Sequence, residues 1–167
     1  MATKKEVRDM SPAEKEAFHQ QAEARIKTFS YRRPEMGQRP KEFAPLCRSE
    51  LLRIVVQVIK DGGENNLHYH THSDTTWMVL RGRARFYGLD DKVLGELGPH
   101  EGILLPGGSR YWFEKVGDDE YLEILQMIGI ESNTVAPPER INLERHKAWM
   151  QDDYLQVYEQ GPVVAQK

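Results

Sequence analysis

Three of the six histidines in the chain alternate at His68, His70 and His72. Simple frequency counting gives such a triplet a chance expectation of about 1% at this composition, so the cluster carries information. Residues two apart on a strand project to one face with Cα atoms about 6.5 Å apart, near enough for two imidazoles to converge on one metal ion. On a straight strand His68 and His72 stand about 13 Å apart, so His72 shares that ion only if the chain bends after His70. Paired imidazoles suit iron, zinc, copper and nickel alike. The competing reading is a solvated strand end whose histidines do nothing.

Other reactive residue types stand alone. His19 falls on a predicted surface helix, His100 in a turn and His146 on a predicted C-terminal helix, so each reads as ordinary. Cys47 precedes the first predicted strand with no base beside it. Gly107-Gly108 explains a tight turn, and no phosphate-loop spacing follows it.

The elements that must position the histidines are short strands. Ser11-Pro12-Ala13-Glu14 is a capping box with Pro at N1, and it predicts a helix whose Phe18, Ala22, Ile26 and Phe29 form one packing stripe. Pro34, Gly37, Pro40 and Pro45 then predict an irregular arm. Leu52, Ile54, Val56 and Val58 alternate with the more polar Arg53 and Gln57, and Asp61-Gly62-Gly63 closes that strand. Further strands are predicted at Leu67 to His72, Thr75 to Leu80, Arg83 to Tyr87, Lys92 to Leu97, Gly102 to Leu105, Arg110 to Lys115 and Tyr121 to Met127. About eight short antiparallel strands are the signature of a sandwich or barrel. Alternation places Ala84 and Phe86 on one face and Arg83 and Arg85 on the other. After Pro137-Pro138, a second helix is expected from about Leu143 to Val157.

Composition excludes several function classes. The 167 residues carry a net charge of -3, with 23 basic and 26 acidic side chains, so no basic field attracts nucleic acid or anionic lipid. No apolar run reaches membrane-spanning length. A single cysteine and a charged N-terminus without an apolar core point to a cytoplasmic protein without disulfides.

Gly62, five residues, His68-Tyr69-His70, four residues, Thr75, six residues and Gly82 together resemble the first motif of the cupin superfamily. The segment from Leu97 through Pro106, Gly108 and Tyr111 resembles the second, and the stretch 83–99 between them has a typical cupin length. The resemblance implies a single-domain, RmlC-like jelly roll. It is an all-β antiparallel barrel over about residues 48–129, with an N-terminal helix and arm over 1–47 and a C-terminal extension with a helix over 130–167. Metal-binding cupins hold their ion with three His and one Glu. Only His68 and His70 carry over; Thr75 stands at the Glu position, Tyr111 at the last His position, and Lys115 where an Asn is usual. A neutral hydroxyl is a poor ligand for a divalent ion. The third ligand is expected to be His72, ahead of Asp74 and Thr75.

If Thr75 points into the barrel, Trp77 and Val79 follow it inwards, with Tyr111 and Phe113 on the opposite strand. Thr75, Trp77 and Tyr111 are then the substrate-binding candidates, and Tyr111 is the candidate catalytic proton donor. The resemblance implies one divalent transition metal (iron, zinc, nickel or manganese) and a small, aromatic or carbonyl-bearing substrate. The reaction would be of dioxygenase, isomerase, cyclase or lyase type. The alternative is a non-catalytic cupin that binds a small-molecule ligand, with or without metal. A homodimer is expected, because Phe43, Leu46, Leu51 and Val55 add apolar surface that one small barrel does not need.

Overall fold

A computed structural model describes residues 6–131 and 139–143. Its elements are α1 (Pro12–Glu23), β1 (Lys41–Arg48), β2 (Leu52–Ile59), β3 (His68–His70), β4 (Ser73–Arg81), β5 (Arg83–Tyr87), β6 (Val93–Leu97), β7 (Gly102–Leu105), β8 (Trp112–Val116), β9 (Leu122–Ile130) and β10 (Arg140–Asn142). All strand pairings are antiparallel. One layer is a five-stranded sheet in the order β1-β2-β9-β4-β7. Opposite it stand β6-β5-β8 and the short pair β10-β3. His68 and Tyr111 exchange backbone hydrogen bonds of 3.1 and 2.9 Å, which join the latter two into one wall. The jelly roll expected from the sequence is the observed fold. Among the described residues no helix is long and apolar enough to cross a membrane.

The core is aromatic at its centre. Phe86 stacks on Phe113 at 4.9 Å, and the Trp77 ring lies 4.8 Å from Phe113 and 6.2 Å from Phe86. Ile59, Val79, Ala84, Leu105, Leu122 and Ile124 close around them. Burial of each such ring contributes about 2–3 kcal/mol, the main stabilising term for a domain of this size. The alternation read from Arg83 to Phe86 holds: Ala84 and Phe86 are buried, while Arg83 and Arg85 grip the two oxygens of Glu96 at 3.1 and 2.8 Å on the outside.

Directly paired residues share a face, so the ladders fix which side chains point inwards. Thr75, Ile128 and Arg53 form one inward row; Trp77, Gln126 and Val55 form the next; Val79, Ile124 and Gln57 form a third. The inner face of β2 is therefore Arg53-Val55-Gln57-Ile59, and the apolar set Leu52, Ile54, Val56 and Val58 lies on the outside of the barrel. Val56 and Val58 are nonetheless fully buried. The arm crosses the sheet at this point: Tyr31 and Arg33 both contact Glu123, which pairs with Val58.

Three sequence expectations need correction. First, the capping box forms, with Ser11 N 2.6 Å from Glu14 Oε2 and Glu14 N 3.3 Å from Ser11 Oγ. However, α1 ends at Glu23, before Ile26 and Phe29, and buries no residue. Its few apolar side chains are too sparse for a packing stripe, so local capping rather than tertiary contact defines it. Second, the expected arm is irregular through Pro34, Gly37 and Pro40, but it ends there and Pro45 does not extend it. Lys41–Arg48, Cys47 included, is a strand, because β1 is a sheet edge where Pro45 need not donate and a register shift after it absorbs the irregularity. Third, three residues of the C-terminal extension form β10. The helix expected from Leu143 onwards lies outside the described residues.

Candidate functional site

β3 is only three residues long and is held on both sides, by β10 and by the backbone at Tyr111. That clamp fixes the two histidines it carries. His68 is 2% exposed, and its Nδ1 lies 2.7 Å from the carbonyl oxygen of Asn66. A carbonyl only accepts, so Nδ1 carries the proton and Nε2 is left with its lone pair. The His70 ring stands 5.2 Å away at 87°. Tyr111, also buried, lies 4.5 Å from His68 and 6.4 Å from His70, and its ring is 6.5 Å from Trp77. It thus stands between the imidazole pair and the aromatic core. Thr75 is buried on the facing sheet, in the same inward row as Arg53.

Both imidazoles are held neutral. Burial pushes His68 well below the usual histidine range, and the charges of Arg140 and Lys41 act the same way against the opposing Asn66 bond. Burial, then Arg140 and Arg53, lowers His70 to about 4. Arg140 arrives from β10, directly across from His70, and its guanidinium donates to Asn66 Oδ1 at 2.6 Å. Lys41 is fully buried and donates to Asn65 Oδ1 at 2.5 Å. This bond ties the start of β1 to the segment leading into β3.

The expected third ligands are elsewhere. The backbone of His72 turns left-handed (φ 53°), its side chain is 44% exposed, and its Nδ1 lies 3.4 Å from Glu131. Asp74 accepts from the Gly107 backbone at 2.8 Å and so holds the turn before β8. Lys115 pairs with Asp61 at 3.0 Å, away from the histidines. Among the described residues no group of three or more His, Cys, Asp or Glu comes together to hold a metal.

The imidazole pair by itself has a spacing that suits a shared ion, since two rings on one tetrahedral ion stand about 5 Å apart by centroid. The remaining groups do not fit a divalent cation. The other donors present are the hydroxyls of Thr75 and Tyr111, which are neutral at pH 7 in their ordinary state. No described carboxylate acts on either imidazole, while Arg140 acts on both and Arg53 on His70. The same cations that disfavour a proton on these rings repel a doubly charged ion more strongly. An anion meets the opposite field.

Of the residues singled out in the sequence, the structure brings His68, His70 and Tyr111 together, with Trp77 in the aromatic core 6.5 Å from Tyr111 and Thr75 buried on the inner face of β4. The expected aromatic lining is closed on itself, because Trp77, Phe86 and Phe113 pack on one another, and only the indole N–H of Trp77 remains for a polar partner. Sequence reasoning missed Arg140 and Asn66, for which no local signal exists. Arg53 and Gln57 were visible as polar interruptions of β2, but not as residues of the inner face.

The chain matches no family profile and no curated protein sequence. Its fold is shared by many solved structures. It is similar to a conserved protein with a double-stranded β-helix domain from Klebsiella pneumoniae subsp. pneumoniae, at 20% identity and TM-score 0.57, over 72% of this chain and 95% of that one. A cupin superfamily protein from Desulfitobacterium hafniense is 21% identical with TM-score 0.52, over 64% of this chain and 99% of that one. An RmlC-like cupin from Methanocaldococcus jannaschii is 15% identical with TM-score 0.52, over 64% and 93% of the two chains.

Proposed function

We propose that this chain, which has the cupin fold, binds a small anionic organic molecule, a carboxylate above all, at the end of the barrel interior lined by His68, His70, Tyr111 and Thr75, without a resident metal. The observation that carries this reading is the placement of two guanidinium residues by the imidazole pair, Arg140 directly across the β10–β3 ladder from His70 and Arg53 in the inward row of Thr75, with no described carboxylate acting on either ring. Guanidinium groups recognise carboxylates through short, charge-assisted and often bidentate hydrogen bonds.

A second reading, proton-transfer catalysis of isomerase or lyase type on the same ligand, is favoured by the tautomer of His68. With Nδ1 committed to Asn66, the neutral Nε2 is a base able to accept a proton from a bound hydroxyl or carbon acid, and Tyr111 beside it is a hydroxyl able to return one. Binding is common to both readings.

Calorimetric titration of the full chain with matched small acids and their amides tests the proposal. Acids are expected to bind at least tenfold more tightly than amides, and Arg53→Met to remove most of that difference. Equal binding of acid and amide would overturn the anionic reading. One transition metal per chain by elemental analysis, with loss of binding on chelation, would overturn the metal-independent one.

A further inference from the structure

His68 and Tyr111 are each 2% exposed, so a molecule that is to meet both must first displace part of the wall around them. β3, which carries the imidazole pair, is held on its two sides in different ways. On one side it is joined to the backbone at Tyr111, next to the packed rings of Trp77 and Phe113. On the other side it is joined to β10, which pairs with β3 alone among the described strands and has no buried residue.

Hydrogen bonds hold β10 in place. The Thr71 amide donates to the Glu139 carbonyl at 2.9 Å and the Leu143 amide to the Leu67 carbonyl at 3.0 Å, while the Glu139 amide donates to the Thr71 hydroxyl at 2.9 Å. Asn66 adds the side-chain bonds: its Oδ1 accepts from Arg140 at 2.6 Å, and its Nδ2 donates to Asn142 Oδ1 at 3.0 Å. Bonds near the surface exchange readily for bonds to water, so an element held by them opens well below the cost of global unfolding. Arg140 and Asn142 stand directly across from His70 and His68, and residues paired in this way share a face, so both side chains flank the imidazoles. The Asn66 carbonyl is also the group that fixes the His68 tautomer. Resting on the site proposed above, we infer that β10 is a strap that unlatches from β3 to admit a ligand to His68 and Tyr111, with Asn66 as its latch.

Two measurements on the full chain test the strap, and neither needs a ligand. In the wild type, hydrogen exchange followed by NMR is expected to show the Thr71 and Leu143 amides, which donate across the β10–β3 ladder, at least about a hundredfold less protected than the His68 and Tyr111 amides, which donate to one another's carbonyls. Equal protection would mean that β10 opens only with the whole barrel, and the inference falls. Tyr69 and Ile141 are direct partners on the outward face of the ladder, at the Cα separation of about 5.5 Å that suits a disulfide. Tyr69→Cys with Ile141→Cys, in a Cys47→Ser background, therefore locks the strap when oxidised. Reaction of His68 with diethyl pyrocarbonate, read by tandem mass spectrometry, is expected to slow at least about tenfold in the oxidised form and to recover on reduction. His19 and His100, both exposed, are the unchanged references. Arg140→Ala removes a latch bond without a new cysteine and is expected to speed the same reaction at least about threefold. His68 reacting equally fast in the locked and reduced forms, or no faster in Arg140→Ala, would place the opening elsewhere and overturn the strap, leaving the anion reading intact. Equal binding of acid and amide with the strap results as expected would do the reverse.

Discussion

The Tyr31 hydroxyl donates to the Glu123 carboxylate at 2.6 Å across 92 residues of sequence, and with Arg33 at 3.5 Å it fastens the N-terminal arm over the outer face of β2 and β9. This contact covers the apolar side of β2, because Glu123 and Val58 are cross-strand partners. It decides which side chains of β2 are left to line the interior.

Tyr31→Phe is expected to lower stability near pH 7 by about 1 kcal/mol, measured by denaturant titration. Burial first, and the bond to Glu123 second, raise the folded-state pKa of Tyr31 above its ordinary value of 10.0. Its contribution is therefore full below about pH 10 and is lost as the pH rises further, when only the unfolded chain ionises. The gap between wild type and variant should narrow at alkaline pH; a gap that widens there would show that the bond is not the source.

Acid should weaken the fold through His70. Its folded-state pKa of about 4 lies below the ordinary 6.5, so the stabilisation is present above about pH 6.5 and is lost as the pH falls towards 4. The loss over that window is about 1–2 kcal/mol, discounted for the partial exposure of the ring. His70→Gln should flatten the slope, and an unchanged slope in that variant would place the titrating group elsewhere.

Gly82 joins β4 to β5 at φ +79°, and a Cβ there would lie 2.6 Å from the Tyr121 carbonyl oxygen. Gly62 has a similar φ of +83° with nothing within 4 Å. Gly62→Ala is expected to cost about 1 kcal/mol, from backbone strain alone, and Gly82→Ala at least about 2 kcal/mol more. Equal melting temperatures for the two variants would refute the steric account.

Beyond the arm, the outer face of the five-stranded sheet carries exposed leucines, Leu104 at 61% and Leu52 at 39%. Leu104 pairs with Thr76 and so shares that face. A two-fold homodimer through this face is proposed, and Leu104→Glu is expected to convert a dimer to a monomer by light scattering while the barrel stays folded. A wild-type monomer at about ten micromolar would count against it.

The sequence alone determined the periodic and local features. Strands Arg83–Tyr87 and Gly102–Leu105 form over the expected residues, and Ser11 caps α1 through Glu14 as read. His68 and His70 share a face because strand periodicity is two, whatever surrounds them. That periodicity separates the two faces of a strand without saying which one is inside. In β2 the more apolar face turned outwards, since the arm was available to cover it and Arg53 and Gln57 were needed within. Nor does a sequence period reveal which distant segment arrives: Arg140 reaches His70 only through the β10–β3 ladder. His72 left the row because one left-handed residue breaks the alternation. β1 formed through Pro45 because an edge strand has a side that needs no donor. Each of these was settled by a neighbour supplied by the fold, at a distance along the chain that no local pattern spans.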